Sequence, residues 1–275
     1  MCLNSLDIIV KNLNKLMSEL YFIKILLLSI VQGISEFIPV SSSGLLVIFE
    51  NIFQIQNNNL LINVTMHGGS LAAVVLFFYK DLVNLWKNPK LLLNLIIATI
   101  PVVIVGGFLQ YYGIVDQLMN IVVIGYSTIF FGILLFFSDR NSEDKKFNHS
   151  ISNKDSFIIG LYQVLALIPG TSRSGITLTG ARFLKFNRVD AARFSFLLSI
   201  PTLSAAFILS TYKIYKLDET EFNTLLLLAF VFSFVFSLLT IKYFLIFLKN
   251  FSLNVFVVFR IIMGLGLLTF YYTTR

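Results

Sequence analysis

The chain has 275 residues, of which 57% are hydrophobic and only 13% are charged. A soluble domain carries about 25% charged residues, so this composition excludes an ordinary soluble domain. The formal net charge of +7 does not indicate nucleic-acid binding, because the basic residues are scattered over short connections between apolar segments. A single cysteine, Cys2, excludes a disulfide framework and a cysteine metal site.

The N-terminal part of the chain is predicted to enter the membrane without crossing it. Residues 1–23 lack the basic-then-apolar order of a cleaved signal and are predicted to form a surface segment. Residues 24–50 are apolar but interrupted by Pro39 and a run of serines, which predicts a re-entrant helical hairpin. The segment "NIFQIQNNN" (51–59) has no Lys or Arg and is predicted to lie outside the cell.

Three apolar stretches of helical length follow the first hairpin. Each is close to the roughly 20 residues that a helix needs to cross a hydrocarbon core. They predict spans at about 63–79, 91–112 and 118–138. The basic segment 80–90 and the charged loop 139–155 are predicted to be cytoplasmic.

The rest of the chain repeats this order. Residues 156–181 lie between the charged loop 139–155 and the basic stretch 182–193, which is also predicted to be cytoplasmic. They are too broken by Pro169, Gly170 and Gly175 to form one span, so a second re-entrant hairpin is predicted at 156–188. Three spans are predicted after it, at about 190–212, 222–248 and 253–272.

Matching residues at a nearly constant separation predict an internal duplication. Three pairs lie 130 to 133 positions apart: Pro39 and Pro169, Lys80 and Lys213, and Gly132 and Gly264. The predicted fold is therefore an all-α polytopic membrane protein with an inverted-topology repeat, 24–138 and 156–275. Each half is a re-entrant helical hairpin plus three transmembrane helices. Inverted repeats with broken helices build one shared site, so the two hairpin loops are predicted to meet.

The second loop, in "IPGTSRSGIT" (168–177), has the composition of an oxyanion site. Glycines allow a tight turn that exposes backbone N–H groups, and a helix N-terminus favours negative charge. Arg173 adds a guanidinium whose fork matches phosphate. The candidate substrate-binding residues beside it are Gly170, Thr171, Ser172 and Ser174. The alternative is that Arg173 only pairs with a carboxylate to hold the two halves together.

The first loop, in "QGISEFIPVSSSG" (32–44), offers a carboxylate and hydroxyls. Gln32 and Glu36 are four residues apart and share a helix face. Glu36 has three open roles: a ligand of Mg²⁺ or Ca²⁺ together with Gln32, a general base, or an ion-pair partner of Arg173. Ser41, Ser42 and Ser43 are candidates for a nucleophile or for phosphate contacts. His67, in "TMHGGS", is a catalytic candidate or a hydrogen-bonded structural residue.

The motifs "QGISEFIPVSSSG" and "PGTSRSG", with "FSFLLSIP" (194–201), resemble those of the undecaprenyl-diphosphatase family, the bacitracin-resistance membrane phosphatases. The resemblance implies two re-entrant hairpins in inverted repeats. It also implies removal of the terminal phosphate from a C55 polyprenyl diphosphate at the outer face of the bacterial plasma membrane, with a divalent cation. The implied functional positions are Glu36, Ser42 and Arg173, with Ser172 and Ser174 beside the arginine.

Two positions depart from the family pattern. Gln32 stands where the family often has Glu, and Leu45 stands where the motif usually has a histidine that is a proposed catalytic group. Three explanations stay open for Leu45. His67 replaces that histidine from across the cavity, Glu36 and a metal-bound water suffice, or the chain is a slow or inactive homologue.

The sequence therefore predicts a membrane phosphatase that recycles undecaprenyl phosphate for cell-wall synthesis. The alternatives are a polyprenyl-phosphate flippase or transporter, which the same repeat architecture allows, and a purely structural membrane scaffold. The predicted partners are a polyprenyl diphosphate and membrane lipids, with a homodimer left open and no nucleic acid. The predicted location is the bacterial plasma membrane, with the site open to the periplasmic side.

Overall fold

The computed structural model describes residues 20–53, 60–143, 151–217 and 224–274, and the regular elements in these ranges are helices. The first half contains α1 (Leu20–Ser35), α2 (Ser42–Phe53), α3 (Leu60–Phe77), α4 (Tyr79–Val83), α5 (Pro89–Tyr111), α6 (Ile114–Leu118) and α7 (Ile121–Asp139). The second half contains α8 (Asn153–Val164), α9 (Arg173–Phe183), α10 (Arg188–Leu217), α11 (Thr224–Asn250) and α12 (Asn254–Thr273). Short 3₁₀ turns cover Asn84–Lys87 and Leu165–Leu167.

Six helices in these ranges are long and apolar enough to cross a membrane: α3, α5, α7, α10, α11 and α12. The prediction of an all-α multi-pass membrane protein is confirmed. The predicted segments 1–23 and 51–59 lie largely outside the described residues. The inverted orientation of the two halves stays a prediction.

Three of the four hairpin limbs are shorter than a span. Helices α2 and α8 have 12 residues each and α9 has 11. At a rise of 1.5 Å per residue such a helix is about 18 Å long, well below the roughly 30 Å of a hydrocarbon core. The chain turns at Pro39 in the first hairpin and at Pro169 in the second.

Side-chain caps explain several helix starts. Ser152 and Asp155 form a capping box, so α8 begins at Asn153, inside the loop that was predicted to extend to residue 155. The Asn88 side chain accepts a hydrogen bond from the Leu91 N–H and starts α5, with Pro89 in the first turn. Such caps are the reason that element boundaries differ from those of the hydrophobic pattern by a few residues.

Small residues bring the helices close together. Helix α11 packs along α3, α12 along α7, and α5 along α8. A Cβ added at Gly160 of α8 would lie 2.7 Å from the Ala98 carbonyl oxygen of α5, so this crossing requires glycine. The Ser70 and Ser237 hydroxyls lie 3.0 Å apart, and Ser237 also donates to the Gly33 carbonyl at 3.1 Å. These bonds tie α1, α3 and α11 together.

The apolar core lies beside the first loop. The buried ring of Phe196 contacts Phe37 edge-on at 5.3 Å between centroids, and it contacts Phe244 at 6.0 Å. Such pairs contribute about 0.5–1.5 kcal/mol beyond their buried area. Phe37 directly follows Glu36, so this packing fixes the backbone that carries the carboxylate.

Candidate active site

The loops of the two hairpins lie against each other, as predicted. The Gly170 N–H of the second loop donates to Ser43 Oγ at 3.0 Å. In return, Ser174 Oγ of the second hairpin donates to the Ile38 carbonyl of the first loop at 3.0 Å. These reciprocal bonds join the beginnings of α2 and α9.

Both half-helices begin after a serine in the left-handed region. Ser41 has φ 77° and Ser172 has φ 68°. Their hydroxyls accept from the N–H groups of Gly44, at 3.4 Å, and Gly175, at 3.3 Å. A left-handed residue other than glycine costs about 1–3 kcal/mol and points to a functional site. Within the described residues, the N–H groups of 42–43 and 173–174 have no hydrogen-bond acceptor, so they are available to an anion.

Glu36 and Arg173 form the charged centre of the site. Arg173 Nη2 donates to Glu36 Oε1 at 3.0 Å, and the two side chains are 14% and 6% exposed. Arg173 also donates to the Ser195 carbonyl of α10 at 3.3 Å. The two loops therefore bring one guanidinium and one carboxylate together, which is also the contact expected if Arg173 serves only as an ion-pair partner.

His67 and Gln32 complete this cluster. His67 Nδ1 lies 3.4 Å from Glu36 Oε2, and its side chain is 40% exposed. Gln32 Nε2 donates to Glu36 Oε2 at 2.8 Å and lies 3.1 Å from His67 Nδ1. The structure therefore places His67 beside the carboxylate, as its candidate catalytic role requires.

Gln32 and Glu36 suit a divalent cation that takes oxygen ligands. Gln32 Oε1 is buried and has no hydrogen-bond partner among the described residues, next to the Glu36 carboxylate. In the described ranges, no three His, Cys, Asp or Glu side chains are placed so that they could hold a metal ion together. Mg²⁺ often takes only one or two protein carboxylates and completes its shell with waters and substrate phosphates. The donor set fits such an ion.

The predicted hydroxyls divide into two groups. Those of Ser41, Ser43, Ser172 and Ser174 are engaged within or between the loops. Ser42 makes no hydrogen bond within the described residues, so its hydroxyl is free to meet a substrate. It does not lie within hydrogen-bond distance of Glu36, His67 or Arg173. Thr171 Oγ1 is buried and has no partner among the described residues.

Leu45 lies away from the charged cluster. It packs with Ile124, Met263 and Leu267 and lines an apolar cavity of about 300 Å³. The described lining of that cavity contains no charged side chain. His67 thus lies 3.4 Å from Glu36, whereas the described surroundings of Leu45 are apolar.

Sequence analysis did not identify the residues of α7 and α12 that bond to the second loop. Ser127 donates to the Pro169 carbonyl, and Thr128 Oγ1 donates to the Gly170 carbonyl at 3.1 Å. Arg260, fully buried in α12, also donates to the Gly170 carbonyl at 3.1 Å. Serines and threonines in an apolar helix carry little signal. A lone arginine inside the predicted span 253–272 was a usable signal, because intramembrane charges are functional by default.

The tight contact at Gly170 gives a first testable expectation. Its φ is 92°, and an added Cβ would overlap Ser127 Oγ and lie 2.5 Å from the Ile124 carbonyl. We expect Gly170→Ala to lower the free energy of unfolding by about 3 kcal/mol or more, from backbone strain and overpacking. Thermal unfolding in detergent measures this. Gly107→Ala in α5 is the matched control, since nothing lies within 4 Å of its added Cβ; an equal loss there would contradict the prediction.

The fold and the site together define a multi-pass α-helical membrane protein whose polar centre is built from two broken-helix loops. A family model described as "Bacitracin resistance protein BacA" matches residues 25–266. The chain belongs to this family.

Named relatives agree with this assignment. The undecaprenyl-diphosphatase of Pelagibacter ubique is 46% identical over 251 residues, which cover 91% of this chain and 98% of the relative. The undecaprenyl-diphosphatase of Jannaschia sp. is 39% identical over 259 residues, which cover 90% of this chain and 97% of the relative. That of Ruegeria pomeroyi is 38% identical over 262 residues, covering 90% and 98%.

Proposed function

We propose that this chain is a membrane phosphatase that hydrolyses undecaprenyl diphosphate to undecaprenyl phosphate and inorganic phosphate. This activity recycles the lipid carrier of cell-wall synthesis. The observation that carries the proposal is that the two loops meet: Arg173 contacts Glu36 at 3.0 Å, and free N–H groups at the starts of α2 and α9 lie in the same two loops. The names of the relatives favour hydrolysis over lipid transport.

The diphosphate is held by fixed positive groups. Arg173 offers a planar fork that suits phosphate oxygens, and the free N–H groups at the starts of α2 and α9 add donors. Because the backbone N–H donors are held by the loop-to-loop bonds, they need no rearrangement when charge spreads over the terminal phosphate oxygens. Preorganised donors of this kind are the main catalytic contribution in phosphoryl transfer.

The nucleophile is either a water or the Ser42 hydroxyl. Its oxygen forms a bond to the terminal phosphorus, and the bond from that phosphorus to the bridging oxygen breaks, which leaves the lipid monophosphate. His67 or Glu36 accepts the proton of an attacking water, and Gln32 orients both by its two contacts. Ser42 has no direct contact with either base, so its proton would have to pass through a water. If Ser42 attacks, a water then hydrolyses the phosphoserine.

Gln32 and Glu36 are the proposed ligands of Mg²⁺ or Ca²⁺. When bound, such an ion neutralises part of the charge on the phosphate oxygens. If Glu36 held such an ion, it would have to release its bond to Arg173, and the guanidinium would then be available to the substrate.

We place the protein in the bacterial plasma membrane with the site open to the periplasmic side. The half-exposed ring of His67 supports access of the headgroup from one face. The proposed partners are the polyprenyl diphosphate and the surrounding membrane lipids, and a homodimer is part of the same proposal.

The rates of phosphate release by His67→Ala and Leu45→His distinguish a catalytic role of His67 from an effect of the missing histidine at position 45. We expect His67→Ala to lower the rate of phosphate release by about 10²-fold or more, the usual contribution of a positioned base. Leu45→His should change the rate less than about tenfold, because that side chain enters an apolar cavity rather than the charged cluster. A large gain from Leu45→His would instead identify the chain as an impaired homologue.

The proposed function is tested with the purified protein in detergent or in vesicles. Phosphate release from undecaprenyl or farnesyl diphosphate is measured with Mg²⁺, with Ca²⁺ and with a chelator. Metal-dependent release supports the proposal. No release, together with movement of the lipid across vesicles, would replace it with a flippase. If Arg173→Ala and Glu36→Ala left both activities unchanged, the protein would be a scaffold.

A further inference from the structure

Arg260 is an unusual residue for the middle of a membrane helix. It lies in α12, and its side chain is fully buried. Among the described residues no carboxylate lies within 4.0 Å of its guanidinium. A buried charge without a counter-ion is costly in protein and in lipid, so its retention calls for a specific function.

The guanidinium binds backbone carbonyls from three different segments. Nε donates to Thr128 in α7 at 3.1 Å, and Nη2 donates to Gly170 in the second loop at 3.1 Å. Nη1 donates to Pro39 in the first loop at 3.5 Å. One side chain thus contacts the turns of both hairpins.

Two glycines pack closely against the Arg260 side chain. A Cβ added at Gly132 would lie 3.2 Å from Arg260 Cβ, and one added at Gly175 would lie 3.0 Å from Nη1. Two glycines, one in α7 and one in α9, therefore create the space that the arginine fills. Its planar fork can reach carbonyls in several directions at once, which the single ammonium of lysine cannot do.

We propose that Arg260 is a positioning residue, which holds the two loops in the register that the contact between Arg173 and Glu36 requires. It does not touch the substrate. The catalytic part of this inference rests on the proposed function, but the structural part does not. Displacing reacting groups by about 1 Å can cost roughly 10²-fold in rate, so the register of the loops matters for catalysis.

The experiment compares Arg260→Lys with Arg182→Lys. Arg182 is a control of the same residue type, because it is also fully buried and donates to three backbone carbonyls, those of Phe186, Asp139 and Asn141. Unlike Arg260, it also has carboxylate partners, with Asp139 at 3.6 Å and Glu143 at 3.5 Å. It lies nine residues after Arg173, at the other end of α9. Hydrogen exchange of residues 38–45 and 168–176 is measured first, and kcat, KM and the Tm of each variant follow.

We expect Arg260→Lys to speed exchange in both loops by about tenfold, because their shared anchor is lost. Its kcat should fall by roughly 10- to 100-fold while KM changes less than about threefold, since apolar contacts to the lipid tail are untouched. Arg182→Lys should lower the Tm without changing loop exchange or kcat. Unchanged loop exchange in Arg260→Lys, or a full kcat, would overturn the proposal.

Gly132→Ala provides a second test that does not remove the arginine. Its methyl group presses on Arg260 and should shift the guanidinium by a few tenths of an ångström, with faster loop exchange and a lower kcat than in Gly107→Ala. If Arg260→Lys does not fold, this variant tests whether Arg260 holds the two loops in register. If the wild type releases no phosphate, the proposed function fails, yet the exchange rates still test the role of Arg260.

Discussion

Arg173→Ala is expected to lower kcat/KM for phosphate release by about 10³-fold or more. Removing one fixed donor from a transition-state site already costs 10²–10³-fold, and here the substitution removes a buried charge as well. The loss should appear mainly in kcat, because the guanidinium meets the charge that develops on the terminal phosphate. Phosphate release under single-turnover conditions measures it.

Two variants control for this result. Arg173→Lys keeps the charge but loses the bidentate fork, so its activity should fall between those of wild type and Arg173→Ala. Arg193→Ala breaks an exposed pair with Asp81, in which the nitrogen and oxygen lie 3.3 Å apart, and should leave kcat unchanged. Near-normal kcat in a folded Arg173→Ala protein would reduce Arg173 to a structural ion-pair partner.

Glu36→Gln is expected to lower kcat by about 10³-fold, since it keeps the shape of the side chain and removes its charge and basicity. The variant also leaves the Arg173 guanidinium buried without its counter-ion, so a lower Tm is expected. If Glu36 is a ligand, the concentration of Mg²⁺ that gives half-maximal activity should rise at the same time. A titration of phosphate release with Mg²⁺ gives both kcat and the Mg²⁺ concentration for half-maximal activity.

Asp81→Asn is the matched control for this carboxylate, because its partner Arg193 is 40% exposed. It should change neither kcat nor the Mg²⁺ requirement. If Glu36→Gln kept its kcat within about tenfold and the same Mg²⁺ requirement, Glu36 would serve only to hold the loops.

The membrane helices were the most predictable part of the fold. A long run of apolar residues in lipid forms a helix, because the helix satisfies its own backbone hydrogen bonds. The predicted limits of α5 and α7 therefore lie within three residues of those in the structure. Helix α10 is longer than predicted and continues at least to Leu217, beyond the predicted limit near 212. The pattern set that limit too early, because a helix can continue past the last strongly apolar residue.

The meeting of Glu36 and Arg173 was predictable from their positions in two broken hairpins. The repeat indicated that the two loops share one place, and an intramembrane charge needs a partner. The serines show the limit of this reasoning. Their residue type predicted polar contacts, but the atoms that Ser43 and Ser174 bind lie on the other loop, and only the three-dimensional contact reveals them.

The left-handed conformations of Ser41 and Ser172 were not predictable, since serine seldom adopts them. Their equivalent places, each one residue before a half-helix, fit the predicted duplication. The apolar environment of Leu45 was also not predictable, because the sequence alone does not show which face of α2 lines the cavity.

In the proposed mechanism, the Arg173 guanidinium and the Glu36 carboxylate, one from each loop, act together on one lipid headgroup. A double-mutant cycle tests it directly, with single-turnover phosphate release measured for wild type, Arg173→Ala, Glu36→Gln and the double variant. We predict that the double variant is no slower than the worse single variant, within about threefold, as for groups that act together. Losses that multiply in the double variant would show two independent contributions and contradict the shared site.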